Sequence, residues 1–360
     1  MKKLYNKIKA WYEKYERMLL PGTLVFGVIT DLFTFRSIQI SYTFLILSFH
    51  VLFSGAMIAF LNLYDAGAIR KGNRVLDFVR LAAPLAIQFS FGGLASASFI
   101  FYFFSGSFFV SWPFILLIAI LMVANEVFRE YYLRAGVQVA VYYFLLFSIF
   151  AVVLPYLLQE LASWVFVASG VMSLIFIFGY IALLSRVKNT GFGIRRFAKQ
   201  IIAIFVVINI FYFLNIIPPI PLSLRDSVVG HGIERLGGEY RILIEEETFW
   251  NKVLPGTTIH KVSGEAVAVY TAIFAPGKLQ TGIVHNWQRK ENGKWISKGK
   301  FSYDITGGRL DGYRGYSIKT SIMAGEWRVD VETARGQVLG RVRFTVLEVP
   351  EPPPLLEVVK

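Results

Sequence analysis

The stretch 201–222, IIAIFVVINIFYFLNIIPPIPL, decides the architecture. Its first seventeen residues carry no charge and, as a helix rising 1.5 Å per residue, would cover about 26 Å, close to the hydrocarbon thickness of a bilayer. Pro218, Pro219 and Pro221 then end the helix, because proline lacks the backbone donor and favours extended chain. Before this exit, long runs of Leu, Ile, Val, Phe and Ala are broken only by short charged clusters; after it, the chain has the composition of a soluble domain. The expected organisation is an interfacial segment at 1–19, a polytopic helical membrane domain at 18–217, a Pro-rich linker at 218–222, a β-domain at 223–350 and a Pro-rich tail at 351–360.

The composition agrees with that division. Of the 360 residues, 55% are hydrophobic, too many for an ordinary soluble chain. The net charge of +13 lies mostly in the apolar half: residues 1–217 hold 18 Lys and Arg against 8 Asp and Glu, and residues 218–360 hold 19 against 16. Charge placed between hydrophobic spans serves topology and lipid headgroups, so no nucleic-acid partner is expected and the bilayer is. The absence of cysteine excludes a disulfide framework, a thiol nucleophile and a thiolate metal site.

Residues 1–19 set Leu4, Ile8, Trp11, Tyr15 and Met18 at helical spacing among lysines, the pattern of a basic amphipathic helix lying in the headgroup layer. Seven spans are expected: Met18 to Phe35, Tyr42 to Leu63, Leu81 to Phe104, Phe108 to Asn125, Val137 to Leu158, Trp164 to Ser185 and Ile201 to Ile217. The N-terminus and the second, fourth and sixth connections carry 17 Lys and Arg, whereas the intervening connections carry one, Arg36. Positive residues resist translocation. The expected topology is therefore multi-pass, with the N-terminus cytoplasmic and the C-terminal domain outside.

Polar residues inside spans are few: Asp31, His50, Gln88 and Asn209. Asp31 and His50 are the candidate working groups if the helices form a small-solute transporter or intramembrane enzyme, because polar groups are costly in lipid and mark function. The plainer reading is a hydrogen-bonded packing role. Asp77, Arg80, Glu126, Arg129, Glu130 and Arg134 fall near cytoplasmic ends, where ion pairs or helix anchoring are expected. Gly92-Gly93 with Ala95 and Ala97 suggests close helix contact.

From Tyr240 on, seven strand-like runs alternate with turn signals at Pro276-Gly277, Asn292-Gly293, Gly307-Gly308 and Arg335-Gly336. Trp327, Val329 and Val331 alternate with Arg328, Asp330 and Glu332, and Val342, Phe344 and Val346 alternate with Arg341, Arg343 and Thr345, each the pattern of a half-buried strand. Seven strands in about 110 residues predict an all-β immunoglobulin-like sandwich with Trp287, Trp295 and Trp327 in its core.

His285-Asn-Trp287, the run Gly307-Gly-Arg-Leu-Asp-Gly-Tyr-Arg-Gly-Tyr316, Gly325-Glu-Trp-Arg-Val-Asp-Val331 and Gly336-Gln-Val-Leu-Gly-Arg-Val-Arg-Phe344 resemble the bacterial domain-of-unknown-function family 2914 (DUF2914). The motifs span residues 283–346, and membrane-bound members share the helical N-terminal half. The resemblance implies a bacterial envelope protein, and with the spans above the bacterial cytoplasmic (inner) membrane as its location; it brings no catalytic residues.

Within Gly307–Tyr316, glycines flank Arg309 and Arg314, with Tyr313 and Tyr316 beside them. Arginines grip carboxylate or phosphate and tyrosines stack on sugars or apolar surface, so Arg309, Tyr313, Arg314 and Tyr316 form a candidate partner-binding loop. The alternative is a glycine-dependent turn whose arginines pair with Asp304 or Asp311. His231, His260 and His285 lie far apart in sequence without metal-ligand spacing, and Glu245-Glu-Glu247 reads as a solvated strand edge. No nucleophile, Walker, zinc-hydrolase or dinucleotide fingerprint occurs. The expectation is a non-enzymatic membrane anchor, without cofactor or metal, presenting a β-domain to an envelope protein or glycan partner.

Overall fold

The structure is a computed structural model that describes residues 40–69, 71–128, 134–246, 257–309 and 311–360, together with Ile29 and Tyr131. Asp31 and the expected span Met18 to Phe35 fall outside the described residues, Ile29 excepted. Among the described residues there are six helices long and apolar enough to span a membrane: α1 Ile40–Asp65, α2 Arg74–Phe104, α3 Phe108–Val127, α4 Ala135–Leu158, α5 Ser163–Ser185 and α6 Ile194–Phe213. The last helix starts seven residues earlier and stops four residues sooner than its apolar run. The stop falls where Asn215 takes a left-handed backbone (φ 57°) ahead of the prolines.

The chain divides into two compact units. The first holds most of the six helices, with α4 the most enclosed: 72% of its most apolar stretch is buried. Two tyrosines tie it together by donating to carbonyls of α1, Tyr142 to Val51 (3.1 Å) and Tyr180 to Gly55 (2.7 Å). The tightest helix contacts use glycines other than the expected pair. A methyl group on Gly170 would lie 2.8 Å from both Phe147 and Phe205, whereas Gly92 and Gly93 have ordinary clearance. Among the charges expected near helix ends, Arg80 forms a bidentate pair with Asp65 (2.6 and 3.0 Å), and Asp77 accepts from the Tyr64 hydroxyl and the Gly72 amide.

The second unit comprises Leu214–Lys360 with the segments Phe103–Ser111 and Pro155–Ala162. Its strands are β1 Ser223–Gly230, β2 Gly232–Leu236, β3 Glu239–Glu245, β4 Thr257–Lys261, β5 Val267–Phe274, β6 Gln280–Glu291, β7 Lys294–Thr306, β8 Tyr313–Lys319, β9 Gly325–Thr333, β10 Val338–Glu348 and β11 Leu355–Val359. They form three sheets, ordered β1-β5-β8, β4-β10-β9-β6-β7 and β11-β3-β2. Pairing is antiparallel except between β4 and β10.

Alternation builds the core. Val267, Val269 and Ile273 of the first sheet share one apolar cluster with Ile283, Trp287, Trp327, Val329, Val331, Val342, Phe344 and Val346 of the five-stranded sheet. A second cluster joins Ala268, Tyr270 and Ala272, on the other face of β5, to Ile233, Tyr240 and Ile242 of the third sheet. The seven expected strands are all present. Four more, β1, β2, β4 and β11, carry weak local signals, and one of them, β11, lies in the stretch expected to be a Pro-rich tail. There Lys360 exchanges two backbone hydrogen bonds with Tyr240 (2.9 and 3.0 Å) and its ammonium meets Asp226 at 2.7 Å. Trp287 and Trp327 are buried as expected, but Trp295 is not a core residue, because the bulge opposite Trp287 and Gln288 puts it beside Lys290 on the far face.

Candidate functional site

The sequence directs attention first to the Gly307–Tyr316 segment. Its glycines answer backbone geometry. A methyl group on Gly307 would lie 2.6–2.9 Å from the carbonyl oxygens of Ala275, Pro276 and Gly277, and one on Gly315 would enter the Tyr303 ring. The amides of Gly307, Gly308 and Gly312 donate within the chain to Leu279, Ala275 and Arg309, so they are not aimed at a ligand. Arg309 lies over the Tyr313 ring at 5.9 Å, and Tyr313 packs against the main core. Arg314 and Tyr316 belong to the opposite face of β8: the Arg314 guanidinium donates to the Lys360 carbonyl (3.2 Å), and the Tyr316 ring sits edge-on to Tyr240. The segment thus brings Arg309 to Tyr313 and separates both from Arg314 and Tyr316.

His50, the described member of the intramembrane pair, places Nδ1 3.4 Å from the Ser90 hydroxyl, with its ring against Phe49 and Phe89. His285 is fully buried. Its Nδ1 faces the Ser317 hydroxyl at 2.8 Å and its Nε2 faces those of Thr271 (3.0 Å) and Tyr303 (3.1 Å), while Trp287 donates to Ser317. Burial pushes the imidazole down to about 4. This is a closed core network.

Two groupings were not legible. Glu245, at the end of β3, accepts from His231 Nε2 (3.0 Å) and His260 Nδ1 (2.7 Å), joining three residues distant in sequence. Burial favours the neutral acid, yet the His260 and His231 hydrogen bonds outweigh it and hold the carboxyl below its usual range. No group of three His, Cys, Asp or Glu placed to hold a metal ion occurs among the described residues.

The second grouping is the outer face of the five-stranded sheet. Each strand with an apolar inner row presents a polar outer one: Arg341 and Arg343 on β10, Arg328, Asp330 and Glu332 on β9, Asn286, Gln288 and Lys290 on β6, Trp295, Ser297 and Lys300 on β7. Register sets Arg341 opposite Asp330, Asp330 opposite Asn286 and Asn286 opposite Lys300; one rung along, Arg343 faces Arg328, which faces Gln288. Asp330 is 2% exposed, with Arg328 Nε at 3.3 Å and Arg341 Nε at 3.2 Å.

Arg328 also donates twice to Gln288 Oε1 (3.0 and 2.7 Å) and lies 4.6 Å above the Trp295 ring. Asn286 links Ser297 (2.7 Å) to Glu332 (3.1 Å). Burial raises the Asp330 carboxyl above the usual range against the pull of the arginines, and raises Glu332 likewise. Burial lowers Arg328, with Arg341 and Arg343 adding to that and Asp330 opposing it. The sequence showed Arg328, Asp330, Glu332, Arg341 and Arg343 as polar partners in the alternation but not the residues of β6 and β7; cross-strand register, invisible there, joins them into one surface.

The helices and this β-rich unit define a class: a chain with six membrane-length helices followed by a β-domain with one apolar and one highly ordered polar sheet face. Residues 280–346 match the family described as protein of unknown function (DUF2914), a span that runs from β6 into β10 and holds every polar-face residue named above. No curated protein matches the chain. An immunoglobulin-like protein from Pseudomonas aeruginosa shares 12% identity over 35% of this chain and 96% of its own, at a TM-score of 0.20. The alkylpurine DNA glycosylase AlkC of Pseudomonas fluorescens, bound to DNA containing an abasic site analog, shares 10% identity over 83% of this chain and 97% of its own, at 0.22. Neither score supports an argument about fold or activity.

Proposed function

We propose that this chain is a multi-pass protein of the bacterial inner membrane whose helices anchor an immunoglobulin-like β-sandwich outside the cytoplasm, and that the sandwich recognises an envelope protein or glycan partner without catalysing a reaction. The observation that carries the reading is the outer face of the five-stranded sheet, a rigid, cross-braced array of polar side chains that a core does not need. Exposed Arg343 and Lys300 project from it toward any partner.

Topology is supported by charge. The segments joining α2 to α3 and α4 to α5, which belong to the same compact unit as the β-domain, contain no Lys or Arg, whereas the segments around the other three connections contain eleven. The sandwich reading is supported by the apolar cluster shared between the β1-β5-β8 sheet and the five-stranded sheet.

The test is photo-crosslinking in living cells from a reactive amino acid at Lys300, with Tyr313 as a second position. A discrete adduct at Lys300 that disappears in Arg343→Gln supports recognition by this face. Cells that lack residues 223–360 but behave as wild type would refute it.

A further inference from the structure

Two guanidinium groups, Arg328 and Arg341, flank the Asp330 carboxylate on the five-stranded sheet, and a third, Arg343, stands opposite Arg328 on the neighbouring rung. Arg343 and Arg328 are directly opposite in antiparallel register, an arrangement that repels when nothing lies between. Asp330 and Glu332, two carboxylates against four cations on this face, compensate incompletely. Asp330 Oδ1 and Arg341 Nε are both buried atoms without a hydrogen bond, so their 3.2 Å approach is an ion pair of poor direction. The Arg343 guanidinium has the Phe109 ring 5.3 Å away, and among the described residues no carboxylate pairs with it. Lys300 adds a fourth cation on the same rung, three strands from Arg341.

This surplus is held rather than mobile: the Trp295 ring and Gln288 fix the Arg328 guanidinium, lowering the ordering cost when an anion arrives. The central rungs offer no exposed large apolar side chain, so a protein partner finds no pocket for the kind of aromatic or aliphatic anchor that dominates protein interfaces. A face about 20 Å across its five strands, lined by cations and the amides of Asn286 and Gln288, suits an extended, polyhydroxylated, negatively charged polymer.

We propose that this face binds an acidic glycan, whose carboxylate or phosphate groups are taken by Arg328, Arg341 and Arg343 with Lys300 at the margin. The inference rests on the recognition reading above and names its ligand class.

The experiment uses the full chain in nanodiscs of neutral lipid and three probes of matched length: oligogalacturonate, neutral malto-oligosaccharide and poly-glutamate. Oligogalacturonate should bind, weakening as salt rises. Arg343→Gln and Lys300→Gln, both exposed positions, should each lower its affinity roughly tenfold, while Arg235→Gln on β2 leaves it unchanged. Equal binding of the neutral oligosaccharide, stronger binding of poly-glutamate, or no effect of Arg343→Gln overturns the proposal. A discrete protein adduct from Lys300 in cells, with no oligogalacturonate binding, rejects the glycan while leaving partner recognition standing.

Discussion

At the scale of single residues, the β-domain contains titratable groups whose linkage to stability has opposite signs. His285 binds a proton less tightly folded than unfolded, since burial lowers it from 6.5 to about 4. Its contribution is therefore complete above pH 6.5 and is lost as pH falls toward 4, on the order of 3 kcal/mol at the limit. Hydrogen exchange of β6 in the full chain should lose protection across that window, and His285→Gln should flatten the slope; an unchanged slope would place the acid sensitivity elsewhere. Asp330 runs the other way. Burial raises its carboxyl from 3.8, so its contribution is present below that value and lost as pH rises through the raised one. The exchange difference between wild type and Asp330→Asn in β9 should change only in that interval and be constant above it. Gly315→Ala forces a methyl group into the Tyr303 ring and should cost about 1–3 kcal/mol, seen as faster exchange in β8.

At the scale of elements, what was legible follows from period. Trp327, Val329 and Val331 announce β9, and Asn292-Gly293, both with positive φ (51° and 77°), announces the β6–β7 hairpin. The strands β1 and β4 were not legible because their signals are tertiary. β1 runs Ser-Leu-Arg-Asp-Ser-Val-Val-Gly with a bulge at Leu224 and Asp226, and β4 is five residues whose partner is more than eighty residues further on. The same holds for the site: alternation marked Arg328, Asp330, Arg341 and Arg343 as outward, and only register shows that they meet. Within the helices, Gly170 is the position to test. Gly170→Val should destabilise the α4–α5–α6 packing by about 1–3 kcal/mol, through Phe147 and Phe205, whereas Gly179→Ala, with open space around it, should be neutral. Thermal unfolding in detergent distinguishes the two.

At the scale of the whole molecule, the expected arrangement has the N-terminus inside and the β-domain outside. Protease added to inverted membrane vesicles should leave a tag after Lys360 intact and should remove it once the vesicles are opened with detergent. Cleavage from the cytoplasmic face in closed vesicles would reverse the topology drawn from 17 Lys and Arg against one.

The pairing of β4 with β10 and of β3 with β11 also dictates an order of events during synthesis. β2 and β3 can close as a local hairpin, and β1 finds β5 within about fifty residues, but β4 has no neighbour until residues 344–348 have been made, and β3 keeps an open edge until 355–359 follow. Non-local pairings of this kind form late and leave strand edges available to other chains meanwhile. A nascent domain stalled before residue 344 therefore exposes two unfilled edges, and its solubility depends on the speed with which the last few strands arrive.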